Sequence, residues 1–162
     1  MKIICSYCRK EMGQKEPLEN TTHTHSMCKE CYDYYIDQIS GISFDEYLDR
    51  FDLPVLIVDS EGRIAASNRQ AQAALDKTER QITGFLGGEA MECPYARLPE
   101  GCGHTEHCLT CTIRNTIMET HETGRTVHSR KTYLMQEDRQ YTLVISTHKV
   151  EGFVQVIVEE MY

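Results

Sequence analysis

Leu53-Pro54-Val55-Leu56-Ile57-Val58-Asp59-Ser60-Glu61-Gly62-Arg63-Ile64-Ala65-Ala66-Ser67-Asn68 is the stretch that decides the fold. Val55 to Val58 is an unbroken aliphatic run rich in β-branched residues, the pattern of a strand buried on both faces. Asp59-Ser60-Glu61-Gly62 supplies turn residues, and the segment from Arg63 to Ser67 returns as a hairpin partner. Asn68 then predicts a short helix reaching about Leu75. Further on, weak helical character over residues 77–85 leads into a glycine-rich turn between Gly84 and Gly88. A stronger helix is expected over residues 105–122, with Leu109, Ile113 and Ile117 spaced by four, Met118 beside them and Gly124 as the stop. Strands are expected over residues 125–135, 139–149 and 153–160. Two strands, several helices and three strands make an α+β order.

Upstream of the hairpin, residues 37–52 read as a linker helix. Ser43 and Glu46 have capping-box spacing, and Phe44, Tyr47, Leu48 and Phe51 fall on one face, suited to docking on the following domain. Residues 1–36 form a different unit. Cys5-x-x-Cys8 and Cys28-x-x-Cys31 are separated by 19 residues, within the gap of about 15 to 20 expected of a four-thiolate zinc site. The polar stretch between the pairs, with Gly13 and Pro17 as turn formers, offers almost no apolar core, which a structural zinc ion replaces. Tyr32, Tyr34 and Tyr35 are expected to pack over that site.

The 162 residues carry a net charge of -8, which disfavours a phosphate backbone as partner. No local basic patch overrides the average. In the first 35 residues Lys2, Arg9, Lys10, Lys15 and Lys29 are balanced by Glu11, Glu16, Glu19, Glu30 and Asp33, so no nucleic-acid partner is expected. The start of the chain has no apolar leader, no run approaches the ~20 apolar residues that span a bilayer, and the expectation is a cytoplasmic protein without a membrane partner. In a reducing cytosol the eight cysteines point to metal ligation or thiol chemistry and away from disulfides.

The hairpin over residues 53–68, followed by helices and three strands, resembles the PAS sensor domain family over about residues 53–162. The resemblance implies a five-stranded antiparallel sheet with helices on one face, sensing a ligand, cofactor or redox state for an output module. No kinase, cyclase or DNA-binding module follows, so a stand-alone sensor is expected. The segment with Cys5, Cys8, Cys28 and Cys31 is similar to a zinc-ribbon-like module that accompanies bacterial signalling proteins. A signalling partner such as a histidine kinase or regulator, and a homodimer, follow as expectations.

Cys93, Cys102, Cys108 and Cys111 interrupt the PAS pattern as an insertion over residues 93–111, where a family member contacts its cofactor. Pro94 biases Cys93 to extended backbone, Cys102 lies between Gly101 and Gly103, and Cys108 and Cys111 stand near a helix start that favours thiolate. Four thiolates around zinc and around a 4Fe-4S core carry the same net charge, so both remain candidates, with a dithiol switch as the third. Some oxygen-sensing PAS proteins hold a four-cysteine iron-sulfur cluster, which the resemblance brings in by analogy. His104 and His107 in this segment, like His23 and His25 beside Cys28, are read as surface histidines. No catalytic motif is present, neither a nucleophile elbow nor a phosphate loop nor His-Glu-x-x-His, and an enzyme is not expected. Three functions are carried forward: a redox or gas sensor working through the second cysteine group, a constitutive zinc-stabilised adaptor or dimerisation module, and a PAS domain binding a small organic ligand.

Overall fold

The computed structural model describes residues 2–6, 8–14, 23–26, 28–31 and 43–162. Pro17, the tyrosines Tyr32, Tyr34 and Tyr35, and residues 37–42 of the expected linker helix lie outside the described residues. The chain divides into two compact units, Met1–Tyr47 and Leu48–Tyr162.

In the first unit, β1 (Lys2–Cys5) is the middle strand of a three-stranded sheet. It pairs antiparallel with β2 (Glu11–Gln14) and parallel with β3 (His23–Ser26). These two flanking strands were not expected from the polar stretch between the cysteine pairs, because four-residue strands without repeating apolar residues leave no periodic signal. The turn from β1 to β2 closes through hydrogen bonds from the Cys5 amide to the Lys10 carbonyl (2.9 Å) and from the Arg9 amide to the Cys5 carbonyl (3.0 Å). Arg9 takes a φ of 64° in that tight knuckle.

Helix α1 (Phe44–Leu48) spans five residues and falls short of the expected stretch to Phe51. Its capping box is present: the Ser43 amide donates to Glu46 Oε2 and the Glu46 amide to Ser43 Oγ. Leu48 is fully buried and Phe44 is 53% exposed.

The second unit is a five-stranded antiparallel sheet in the order β5-β4-β8-β7-β6. Its strands are β4 (Val55–Val58), β5 (Ile64–Ser67), β6 (Val127–Gln136), β7 (Arg139–Val150) and β8 (Phe153–Met161). The first hairpin closes as its residues dictate. Asp59 Oδ1 accepts the amides of Glu61 and Arg63, both at 2.9 Å, and Gly62 supplies the positive φ of 85° that a side chain would strain. All four residues of β4 are buried.

Between the hairpin and β6 run α2 (Arg69–Leu75), α3 (Glu79–Ile82), α4 (Gly87–Ala90), two 3-10 turns (Pro94–Arg97 and Glu106–Thr110) and α5 (Thr112–Thr123). Ala71, Ile82, Ala90, Ile113 and Ile117 from the helices meet Leu56, Val58, Ile64, Leu134, Leu143, Ile145, Val154 and Val156 from the sheet in one core. Each large aliphatic side chain removed from water there contributes about 1.5–3 kcal/mol. The helix expected over residues 105–122 is broken at Cys111, whose φ of -67° and ψ of 110° are extended. Leu109 therefore leaves the Ile113/Ile117 face and stands 78% exposed.

Asn68 ties the unit's entry together. Its Oδ1 accepts the amides of Val55 and Ala71, and its Nδ2 donates to the carbonyls of Leu48 and Leu53, all between 2.9 and 3.1 Å. It is 1% exposed, and every hydrogen-bonding position of the amide is used.

Candidate metal centres

The knuckle between β1 and β2 carries Cys5 and Cys8, while Cys28 directly precedes a helical turn over residues 29–31 that includes Cys31. All four sulfurs lie within 4.8 Å of one another. Tetrahedral zinc with Zn–S bonds of about 2.3 Å places its sulfurs about 3.8 Å apart, and Cys8 Sγ and Cys28 Sγ are 3.8 Å apart. The Cys28 amide donates to Cys5 Sγ at 3.4 Å, the kind of outer bond that fixes a thiolate ligand. The Cys31 amide favours the Cys28 thiolate, but burial, Glu30 and Cys5 outweigh it and raise the Cys28 thiol. Burial, followed by the adjoining Cys28, Cys8 and Cys5, pushes the Cys31 thiol up to about 12. Four crowded sulfurs, with the Cys28 and Cys31 thiols resisting ionisation, are what a divalent cation compensates. Glu30 lies beside them, held down to about 2 by its backbone hydrogen bond and by Lys10, which it meets at 3.2 Å.

The second cysteine group belongs to the sheet-and-helix unit. Cys93, Cys102, Cys108 and Cys111 all line one cavity of about 590 Å³, whose inner wall is aliphatic: Leu56, Val58, Ile64, Ile113, Ile145 and Val156. Cys108 accepts hydrogen bonds from the Gly103 amide (3.1 Å) and meets the Thr105 hydroxyl at 3.2 Å. Cys102 Sγ accepts the Gly88 amide at 3.3 Å. That approach requires glycine, because a Cβ on residue 88 would sit 2.7 Å from the sulfur. Cys111 is the N-cap of α5 and makes no capping hydrogen bond.

These surroundings pull the thiols apart. Burial raises Cys102 and Cys111, the first eased by the Gly88 amide and the second by the amides of Arg114 and Ile113. Burial acts on Cys108 too, but the Thr105 hydroxyl, the amides of Thr105 and Gly103 and the nearby Arg114 charge together hold it below its usual value. Gly103, which flanks Cys102 in sequence, serves Cys108, and Gly88, 14 residues upstream, serves Cys102.

Among the described residues, Cys5, Cys8, Cys28 and Cys31 form the one set of three or more histidine, cysteine or carboxylate ligand atoms within 4.8 Å of one another. The cavity cysteines are thus not drawn in to the spacing of a single tetrahedral ion. Thiolates that each hold a separate iron at the corners of a cluster stand further apart than those on one ion, and an all-sulfur donor set suits either group. His107 is occupied in another way. Its ring stacks on Tyr95 with centroids 3.9 Å apart and planes at 11°, joining the 3-10 turn after Cys93 to the one that carries Cys108. Neither Gly88, Thr105 nor this stack was picked out from the sequence. Only the glycine-rich stretch from Gly84 to Gly88 carried a hint.

Solved structures share this architecture. The photoactive yellow protein domain from the sensor histidine kinase Ppr of Rhodospirillum centenum aligns over 76% of this chain and 98% of its own at 16% identity, with a TM-score of 0.50. A domain of the sensory box sensor histidine kinase/response regulator from Geobacter sulfurreducens aligns over 78% and 96% at 12% identity, with a TM-score of 0.52. The chain has the PAS fold. A PAS domain from Colwellia psychrerythraea agrees with it over 78% of this chain and 96% of its own, at 14% identity and a TM-score of 0.51. No family model and no curated protein matches the sequence. Within the PAS unit the four cavity cysteines occupy the segment between the first hairpin and the last helix. Among the described residues no helix is long and apolar enough to cross a membrane.

Proposed function

We propose that this protein is a sensory and signalling protein whose PAS cavity holds an iron-sulfur cluster on Cys93, Cys102, Cys108 and Cys111, while Cys5, Cys8, Cys28 and Cys31 hold a structural zinc ion. One observation carries the reading: eight cysteines fall into two sets, one gathered within 4.8 Å and the other spread around a single cavity. A bound cluster would supply an oxidation state, or its own loss, as the signal to which a redox change or a gas couples.

The chain's own residues supply the route outward. Cys111 leads directly into α5, and Thr112 Oγ1 accepts the Tyr133 amide of β6 at 2.8 Å. Two turns along, Arg130 of β6 pairs with Glu119 at 2.5 Å, and Thr120 bonds Thr147 of β7 at 2.6 Å. A change in the position of Cys111 is therefore passed to the sheet edge by hydrogen bonds, a fit surface for a partner such as a histidine kinase or regulator. Binding and signalling, without catalysis, are the function.

Metal and sulfide analysis of anaerobically purified protein, with its absorption spectrum, tests this. The expected result is about one zinc per chain together with iron, sulfide and visible absorption. Two zinc ions per chain with a colourless spectrum would overturn the cluster. The aliphatic cavity wall also favours a second reading, a small uncharged ligand in the same space. Native mass spectrometry of protein with its metals retained would find the added mass, and its absence at every occupancy would set that reading aside.

A further inference from the structure

The four cavity cysteines are not equivalent. Cys108 has two donors on its sulfur and Cys102 has the Gly88 amide. Cys111 stands at the N-terminus of the 12-residue α5, where the helix end favours an anion. Cys93 has none of these. Among the described residues no hydrogen bond reaches its sulfur, and it caps a 3-10 turn of four residues that begins with Pro94, a residue without an amide hydrogen. Its backbone is held by the bond from its amide to the Gly88 carbonyl at 2.8 Å and by the Ala96 amide, which donates to the Cys93 carbonyl at 3.0 Å, but its sulfur is not. Hydrogen bonds to a ligating group commonly decide metal retention by about 10- to 100-fold; here Cys102 and Cys108 have them, Cys111 has the end of α5 in their place, and Cys93 has neither.

We infer that Cys93 is the exchangeable ligand of the centre: it can leave its iron and open that one site to a small donor entering from the cavity, while Cys102, Cys108 and Cys111 keep the remainder in place. The inference rests on the cluster reading above. In the exchange the iron–sulfur bond to Cys93 breaks and a bond from the incoming donor to the same iron forms. The departing thiolate takes up a proton from water, and no electron changes hands. Cys93 is half-buried, so solvent reaches it. The Tyr95–His107 stack, two residues beyond Cys93 and one before Cys108, keeps the freed arm beside the site from which it parted.

Alkylation of the loaded wild-type protein under anaerobic conditions tests this without altering the chain. With limiting iodoacetamide and mass-spectrometric readout, Cys93 is expected to be modified about tenfold faster than Cys102, Cys108 or Cys111, while iron content falls by less than the label incorporated. Equal rates at the four positions, or Cys108 first, would overturn the inference. Four single Cys→Ala variants, reconstituted with ferrous iron and sulfide, give an independent reading. Cys93→Ala is expected to retain iron and sulfide within about twofold of wild type and to change its spectrum on adding 2-mercaptoethanol. Cys108→Ala and Cys111→Ala are expected to lose about tenfold or more. If Cys93→Ala is as empty as Cys108→Ala, Cys93 is not the exchangeable corner. A wild-type chain that takes up no iron and sulfide refutes the cluster reading itself, an outcome separate from either of these.

Discussion

Gly88 offers a sharp test of how closely the fold approaches the cavity cysteines. A Cβ at this position would lie 2.7 Å from Cys102 Sγ, 3.2 Å from Cys102 Cβ and 3.4 Å from Ala96 Cβ. The first contact is one that ordinary packing does not allow, and the sulfur must move. In the metal-free protein a thiol at the end of a side chain can swing away, so the overpacking cost of about 1–3 kcal/mol is largely relieved. Alanine also gains up to about 1 kcal/mol of helix propensity over glycine. In the loaded protein the same sulfur is fixed by its metal bond, and the substitution both strains it and lengthens the 3.3 Å bond from the Gly88 amide. Gly88→Ala is therefore expected to leave urea stability of the metal-free protein within about 1 kcal/mol of wild type. It should shorten the lifetime of the loaded centre against an iron chelator about tenfold or more, equivalent to about 1.4 kcal/mol or more. Gly87→Ala is the control in the same helix, since its Cβ would meet only Met91 Cε at 3.9 Å. Equal lifetimes for wild type, Gly87→Ala and Gly88→Ala would refute the reasoning.

Removing zinc from the first unit by chelation is expected to abolish hydrogen-exchange protection in β1 while leaving β4, β7 and β8 protected, because structural zinc contributes on the order of 10–16 kcal/mol in such small modules. Its uptake should release protons and weaken as pH falls, since the raised Cys28 and Cys31 thiols must ionise to bind; calorimetry in buffers of different ionisation enthalpy reads the proton count. Glu119, whose hydrogen bond and charge contact with Arg130 outweigh burial and lower its pKa from the usual 4.5, contributes stability that is present above that value. The contribution is lost as pH falls through the depressed folded-state value, so Glu119→Gln should flatten the acid limb of a stability-versus-pH curve, modestly, because the pair is more than a third exposed. Asn68→Ala deprives two amides and two carbonyls of their partner and should cost about 3–5 kcal/mol in urea unfolding.

Much of the PAS unit was legible because its strands are long or wholly apolar. Val55 to Val58 is an unbroken apolar run, the three final strands span 9 to 12 residues, and Asn68 and Gly124 mark helix ends in the expected way. The helix over residues 105–122 was misjudged at its start because Leu109 sits four before Ile113, and spacing alone cannot register that Cys111 is extended. The small strands β2 and β3 were missed because nothing apolar repeats in them. In the cavity site, the four cysteines announced themselves, but their supports did not: Gly88, Thr105 and Tyr95 act through space across 3 to 14 residues. A hydrogen bond from an amide leaves no trace in residue type, except where glycine is the only residue that lets it form.

The fourfold use of Asn68 has a practical corollary for cutting the chain. The sheet's first strand begins at Val55, yet two of the amide's bonds run back to Leu48 and Leu53. A fragment trimmed to the first strand would keep all five strands and still strand a fully buried amide nitrogen beside an emptied position. The edge of the autonomous piece thus lies several residues ahead of its first strand, and any dissection of the PAS unit from the four-cysteine unit should cut before Ser43, where the capping box of α1 closes.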